Sequence, residues 1–194
     1  MKYRLRRKHW ISIVLLLLAI PAGISQSEGS FITIKKGVMT NQPGLYGINH
    51  FVDGDTIAVD MNGTSETVRF IGIDTPETHK PNTPVQCYGP AAAAYTQNRI
   101  KAAGGHVRLV ADSLSTNRDR YNRLLRYVYL PDGTNLDQEL VSKGYAFAYV
   151  SFPFTKSDTF SSSQANAQSH KLGLWGNCSP YQESSGRWQS NNAG

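Results

Sequence analysis

Short runs rich in strand-forming residues dominate the middle of the chain. Between Leu45 and Asp74, the segment LYGINHFVDGDTIAVDMNGTSETVRFIGID is dominated by Val, Ile, Phe and Thr, which favour strands. Asp53-Gly54 divides the first two predicted strands, and Asn62-Gly63 is typical of a tight hairpin between the second and third. Two later segments, HVRLVAD and NRLLRYVYL, have the same character. The pattern therefore predicts five short strands.

Three segments favour helices instead. GPAAAAYTQNRIKAAGG is rich in alanine and has Pro90 in its first turn, a position that proline tolerates. TNLDQELVSKG predicts a short amphipathic helix that Thr134 or Asn135 begins as N-cap. A third helix is predicted over about 157–171. Five strands with three helices indicate an α+β fold, mainly β, in which the strands close into an OB-type barrel.

The two ends of the chain differ from this central region. Residues 1–25 run from basic (MKYRLRRKHW) through apolar (ISIVLLLLAI) to small and polar, the order of a secretory signal peptide. We expect export with cleavage; the alternative is a short membrane tether formed by residues 10–25. Residues 26–44 indicate a linker, 45–178 the folded domain, and the Ser/Asn/Gln/Gly-rich residues 179–194 a disordered tail.

The basic balance of the whole chain comes mostly from its first residues. The formal net charge is +6. Without the signal segment, the remaining chain carries 15 of the 20 basic residues against 14 acidic ones. Overall charge is therefore no argument for a nucleic-acid partner, and such an argument must come from local clusters. The basic residues of the signal segment are Lys2, Arg4, Arg6, Arg7 and Lys8.

Charged residues at the ends of the predicted strands are candidates for chemistry. Phosphodiester cleavage needs oxygen ligands for a hard cation, a carboxylate that activates water, and cations that face the phosphate. Asp55, Asp74, Glu77, Arg69 and Arg123 supply these groups. Taken one at a time, however, each is also explained by turn chemistry, a solvated strand end or a basic surface loop. Nothing in the pattern shows that they converge.

Six segments in order resemble the staphylococcal nuclease (thermonuclease) family, and they cover about residues 45–176. They are VDGDT (52–56), VRFIGIDTPET (68–78), YGPAAAAYT (88–96), RDRYNRLLRYVY (118–129), GYAFAYV (144–150) and LGLW (172–175). The resemblance implies that the chain is a secreted, calcium-dependent endonuclease that hydrolyses DNA and RNA to 3′-phosphate ends. It implies a monomer with no stable protein partner.

The resemblance also implies a role for individual residues. The carboxylates of Asp55 and Asp74 and the backbone carbonyl of Thr75 would bind Ca²⁺. The catalytic residues would be Glu77, as general base or as the group that orients the attacking water, and Arg69 and Arg123, which would bind the scissile phosphate. The substrate-binding residues would be Arg120, Tyr121 and Tyr149.

Two departures from the family pattern lie close to these residues. Asn122 stands where the staphylococcal enzyme has glycine, directly before the phosphate-binding arginine. GYAFAYVSF is one residue shorter than its counterpart, so that Ser151 or Phe152 takes the place of a second base-pocket tyrosine. Two alternatives to an enzyme stay open: a catalytically silent nucleic-acid-binding module on the same fold, and an exported scaffold that binds a protein or glycan.

The two cysteines, Cys87 and Cys178, follow the signal segment. In an exported protein two cysteines usually pair, and two free thiols are the alternative. In the resembled fold the C-terminal segment packs back near the first helix, which makes the bond between them plausible. We expect a disulfide that supports folding and takes no part in chemistry.

Overall fold

A five-stranded barrel forms the centre of the protein. In a computed structural model, the residues described are 44–79 and 83–193. The strands of the barrel are β1 (Leu45–Phe51), β2 (Thr56–Met61), β3 (Thr64–Phe70), β5 (His106–Val110) and β6 (Leu124–Tyr129). They close in the order β1-β2-β3-β6-β5, in which only the β3–β6 pair is parallel. This confirms the predicted OB-type barrel.

The hairpin between β2 and β3 forms at the predicted dipeptide. Asn62 and Gly63 both have positive φ, 56° and 83°, as a type I′ turn requires. The turn sets a register in which Thr56 lies opposite Arg69 and Ile57 opposite Val68. Side chains alternate across the sheet, so this register also fixes which residues face the barrel interior.

Three helices pack around the barrel, and a single helical turn follows them. α1 (Gly89–Ala102) connects the two halves of the barrel, while α2 (Leu136–Ser142) and α3 (Ser157–Ser169) follow β6. The turn α4 (Leu174–Asn177) ends the helical region. Asn135 begins α2, since its side-chain oxygen accepts the backbone N–H of Gln138 at 2.8 Å. The three longer helices confirm the predicted ones.

A sharp bend at Gly72 separates β3 from β4 (Ile73–Asp74). Gly72 has a φ of +73°, and a Cβ at this position would lie 2.5 Å from the ring of Phe154. Only glycine satisfies both conditions. β4 then pairs with β7 (Phe147–Ala148) outside the barrel, which places Asp74 opposite Phe147. The bend therefore directs the chain from β3, inside the barrel sheet, to β4 at the rim of the barrel.

Buried apolar side chains fill the barrel and the space beneath α2 and α3. Their burial supplies the main favourable free energy of folding. The largest fully buried side chains include Phe70, Ile57, Leu140, Phe160 and Leu174. Because these come from strands and helices on either side of the chain's midpoint, one core holds the whole domain together.

The predicted pairing of the cysteines is confirmed. Cys87 and Cys178 form a disulfide, with their Cα atoms 5.9 Å apart and a sequence separation of 91. The bond joins the residues just before α1 to the end of α4.

The prediction of a disordered tail is wrong for residues 179–193. This segment forms the hairpin of β8 (Tyr181–Gln182) and β9 (Trp188–Gln189), which we call the C-terminal hairpin. The hairpin has too few apolar residues to form a core of its own, but it packs against the core of the domain. Trp188 contacts Trp175 edge to face, with ring centres 5.1 Å apart. The backbone N–H of Cys87 donates to the Asn191 carbonyl at 2.7 Å.

The predicted signal peptide (1–25) and all but the last residue of the predicted linker (26–44) lie outside the described residues. Among residues 44–79 and 83–193, none of the helices combines the length and the apolar character that a membrane span requires.

Candidate active site

All the residues predicted to bind metal, catalyse or bind substrate line one cleft of about 720 Å³ at the rim of the barrel. They reach it from four places in the chain: the β1–β2 turn, the end of β3 with β4 and its following loop, the β5–β6 loop, and the residues after β7. The volume falls within the range typical of ligand sites. The predicted residues that line the cleft are Asp55, Arg69, Asp74, Thr75, Glu77, Arg120, Tyr121, Arg123 and Tyr149.

Arg69 joins the two carboxylates at the base of the cleft. Its Nη1 lies 3.1 Å from Oδ2 of Asp55, and its Nη2 lies 3.0 Å from Oδ1 of Asp74. The side chains of both aspartates are largely buried. Buried carboxylates need such partners, because burial without them would cost several kcal/mol. One guanidinium thus holds two acidic groups at a fixed spacing.

Backbone packing fixes the position of Asp55. Its Oδ2 accepts the N–H of Thr75 at 2.7 Å, which ties the β1–β2 turn to the end of β4. Gly54 makes this approach possible, since a Cβ there would lie 2.8 Å from the Thr75 side chain. From the other side, the Thr96 hydroxyl of α1 donates to the Gly54 carbonyl at 2.6 Å. The first helix therefore supports the turn that carries Asp55.

Negative charge is crowded around this pair of carboxylates. Burial, and next the charge of Asp55, raise the pKa of Asp53 to about 7. Burial disfavours the charged form of Arg69, but the Asp55 and Asp74 carboxylates prevail and raise its pKa. Asp53 and Asp55 thus place two carboxylates beside each other, and a nearby cation would favour the charged form of both.

Asp55, Asp74 and Thr75, which were predicted to bind a cation, all line the cleft. Carboxylate and backbone carbonyl oxygens are the donors that Ca²⁺ prefers. Within the part of the chain that the structure describes, no group of three or more His, Cys, Asp or Glu side chains is arranged to hold a metal ion. The two carboxylates and one carbonyl would therefore leave most of a calcium coordination shell to water and substrate.

Glu77 lies on the loop that follows Asp74 and is held by backbone groups. Its Oε1 accepts the N–H of Thr78 at 2.9 Å and of His79 at 3.0 Å. Its own N–H donates to the Gln86 side chain at 2.8 Å. These bonds orient the carboxylate within the same cleft as Arg69. The loop that follows β4 thus brings a glutamate to the cleft.

The β5–β6 loop brings a second arginine to the cleft, held by an acidic partner. Nη2 of Arg123 lies 2.7 Å from Oδ2 of Asp119, whose Oδ1 accepts the Arg123 backbone N–H at 3.0 Å. Burial acts to raise the pKa of Asp119, but the hydrogen bonds from Arg123 prevail and lower it. Asn122 has a φ of 65°, a conformation that asparagine tolerates better than most residues, so it can occupy the family's glycine position.

Aromatic side chains form the outer walls of the cleft. Tyr121 is 64% exposed, and Nη2 of Arg120 donates to its hydroxyl at 2.7 Å. Tyr149 meets Phe152 edge to face, with ring centres 5.3 Å apart. Phe152 lines the cleft, whereas Ser151 is not among the lining residues. The structure thus favours Phe152 as the second aromatic side chain of this wall.

The chain is similar in sequence to known proteins. Residues 67–177 match the family described as staphylococcal nuclease homologue. The chain belongs to the staphylococcal nuclease family. It is 36% identical over 170 residues to a thermonuclease of Staphylococcus intermedius, which covers 87% of this chain and 98% of that protein.

Two relatives from Bacillus subtilis (strain 168) are more similar over a shorter stretch. The chain is 44% identical over 130 residues to the SPbeta prophage-derived endonuclease YokF and 42% identical over 130 residues to the endonuclease YncB. Each match covers 66% of this chain, but only 43% and 60% of the respective relatives. The chain thus spans less than two thirds of the length of these two family members.

Residues of the C-terminal hairpin line the cleft and were missed by sequence reasoning. Arg187, Trp188 and Gln189 all contribute to its wall, although they lie beyond the stretch that matches the family. The polar composition of the segment predicted disorder and concealed them. Trp188 was the available signal, because a tryptophan buries a large apolar area where it packs.

Proposed function

We propose that the protein is a secreted, calcium-dependent endonuclease. It would hydrolyse phosphodiester bonds of DNA and RNA, single-stranded or locally opened, with little sequence preference, and leave 3′-phosphate ends. The observation that carries the proposal is the convergence of Glu77 with Arg69 and Arg123 in one cleft that also holds the carboxylates of Asp55 and Asp74. A protein that only bound nucleic acid would have no need of a water-activating carboxylate beside these groups.

The two arginines would bind the scissile phosphate and stabilise the charge that develops on it. Each is held before substrate arrives, Arg69 by the two carboxylates and Arg123 by Asp119. Preorganised cations of this kind contribute most because they need not reorient during the reaction. A guanidinium also matches two phosphate oxygens at once, which an ammonium group does not.

Glu77 would accept a proton from the attacking water. The N–H groups of Thr78 and His79 hold one oxygen of its carboxylate, and the residue lines the cleft. A calcium ion held by Asp55, Asp74 and Thr75 would add Lewis-acid polarisation of the phosphate when bound. Tyr121 and Arg120 would contact a further phosphate, and Tyr149 would lie against a base.

Digestion assays test this proposal. The full chain is incubated with plasmid DNA, single-stranded DNA and RNA in Ca²⁺ or in excess chelator. We expect cleavage in Ca²⁺ alone, and products that a polymerase extends only after phosphatase has removed the 3′-phosphate. Binding without cleavage would support the silent binding module, and full activity in chelator would disprove the calcium assignment.

We also propose that the protein is exported by residues 1–25. The supporting observations are the basic-apolar-small order of that segment and the Cys87–Cys178 disulfide, which is typical of oxidising compartments. Mass spectrometry of protein from the culture medium should find a chain that begins shortly after this segment. A full-length chain confined to the membrane fraction would instead indicate tethering by residues 10–25.

A further inference from the structure

The C-terminal hairpin places a cation on one of the cleft carboxylates. Nε and Nη2 of Arg187 both donate to Oδ2 of Asp74, at 2.9 and 2.7 Å. Arg69 already bonds Oδ1 of the same carboxylate at 3.0 Å. Each oxygen of Asp74 therefore has an arginine partner, and the second partner comes from a segment beyond the stretch that matches the family.

This contact comes from a firmly seated element. Trp188, next to Arg187, packs against Trp175 and stacks on Phe147 with ring centres 6.4 Å apart. The side chain of the following residue, Gln189, accepts a hydrogen bond from Gln86 at 2.8 Å. The disulfide anchors the start of the segment beside α1. These contacts, none of which involves the Arg187 side chain, hold the backbone at Arg187 near Asp74.

The side chain of Arg187, unlike the hairpin backbone, is free to change partner. It is 40% exposed, and its guanidinium lies over the ring of Tyr149, 5.6 Å from the ring centre. A long arginine side chain can leave the carboxylate without displacing the backbone that carries it. Arg187 can therefore move away from Asp74 while the rest of the hairpin stays packed.

We propose that Arg187 is a tethered competitor of the divalent cation at Asp74. The guanidinium hydrogen-bonds the carboxylate oxygen that faces away from Arg69 and offsets part of its charge. A cation that binds through Asp74 must displace this bond or accept a weaker ligand. The inference rests on the proposed function, which assigns Asp55 and Asp74 to calcium. It adds that the free protein binds calcium more weakly than its oxygen ligands alone would allow.

Removing the competitor should tighten calcium binding. A charge-assisted, two-nitrogen contact is stronger than an ordinary hydrogen bond, but partial exposure screens it. We therefore expect Arg187→Gln to bind Ca²⁺ about three- to tenfold more tightly than the wild type. Arg187→Lys keeps the charge but loses the planar fork, so its affinity should lie between the two.

Calorimetric titration with Ca²⁺ and no substrate tests this inference on the full chain. Arg108→Gln is the matched control, since it removes the same charge from an exposed position on β5 outside the cleft. Its calcium affinity should equal that of the wild type. Thermal unfolding of each variant shows whether the hairpin stays packed. If the Tm of Arg187→Gln is lower than that of the wild type, the calcium affinity of Arg187→Lys is compared with that of the wild type instead.

The outcomes separate this inference from the proposed function. Equal calcium affinity in the wild type and Arg187→Gln would overturn the competition and leave the calcium site intact. Weaker binding by Arg187→Gln at unchanged stability would also overturn it, because Arg187 would then support the site. Failure of every variant to bind Ca²⁺ would refute the calcium assignment and the inference with it.

Discussion

Among individual residues, Arg69 has the central position in the cleft, because its guanidinium bonds both Asp55 and Asp74. It lies on β3 directly opposite Thr56, next to the turn that carries Asp55. Sequence reasoning could name these three residues, since each stands at the end of a predicted strand. It could not establish their contact, which depends on the hairpin register and on the bend at Gly72.

Substitution of the cleft arginines by lysine tests their proposed role. Arg69→Lys and Arg123→Lys should each lower turnover by roughly 10³-fold or more, since cations acting on phosphoryl transition states contribute 10³–10⁵ in related chemistry. Lysine keeps the charge but lacks the fork that binds two oxygens. Rates of single-stranded DNA cleavage at saturating Ca²⁺ provide the measurement.

Arg126→Lys is the control for that comparison. Its guanidinium bonds Asn117 and the Leu125 carbonyl, and the residue does not line the cleft. It should therefore retain nearly full turnover. Equal, modest losses in all three variants would indicate a general basic surface in place of two specific phosphate-binding groups.

Two residues of the cleft show why sequence alone was insufficient. Asp119 lies in the segment RDRYNRLLRYVY, which the sequence singled out, but its ion pair with Arg123 follows only from the structure. Arg187 is separated from Asp74 by 113 positions. Pairings over such distances are set by tertiary packing, on which local pattern carries no information.

At the scale of elements, a buried carboxylate joins the end of β5 to the loop before α3. Oδ2 of Asp112 accepts the Thr155 backbone N–H at 2.9 Å and the Tyr127 hydroxyl at 2.8 Å. Burial acts to raise the pKa of Asp112, but the hydrogen bonds from Thr155 and Tyr127 prevail and lower it to about 2. The carboxylate is therefore more acidic in the folded protein than in the unfolded chain.

The sign of this shift predicts how stability depends on pH. The stabilisation is present above the unfolded pKa of about 3.9 and is lost as the pH falls through the folded value. Between about pH 5 and pH 2, the free energy of unfolding of the wild type should fall by about 2 kcal/mol more than that of Asp112→Asn. Urea unfolding at each pH measures the difference.

Asp158→Asn serves as the control, because Asp158 is exposed in the first turn of α3. Its pH dependence should follow that of the wild type. If Asp112→Asn lost stability as steeply as the wild type over the same range, Asp112 would not be the group responsible.

Local signals predicted most elements well. The Asn62-Gly63 turn and the N-cap at Asn135 carry their own chemistry, so they formed where expected. The C-terminal hairpin was not predicted from its local sequence, because its stability does not come from its own residues. It comes from the packing of Trp188 against Trp175 and Phe147, which the polar sequence of the segment does not indicate.

At the scale of the whole molecule, the disulfide links the start of α1 to the C-terminal region. It closes a loop of 91 residues, which restricts the unfolded chain and stabilises the fold by up to about 4.7 kcal/mol in the chain-entropy model. Neither cysteine lines the cleft. The bond should therefore support folding without affecting the chemistry.

Removal of the disulfide tests that separation. Cys87→Ser combined with Cys178→Ser should lower Tm by several degrees, up to about 10 °C, while turnover at low temperature stays close to that of the oxidised protein. Reductant should have the same effect on the wild type and none on the double variant. A loss of turnover at unchanged Tm would show that the bond serves the active site.

The central claim is that this molecule cleaves phosphodiester bonds with Glu77 as the group that accepts the water proton. Its most direct test is the single-turnover rate of DNA cleavage by the wild type and by Glu77→Gln at saturating Ca²⁺. The glutamine keeps the size and an oxygen acceptor for the N–H groups of Thr78 and His79, but it cannot take a proton. The account predicts a rate about 10²–10⁴-fold lower at similar substrate affinity. Equal rates in the two proteins would contradict it.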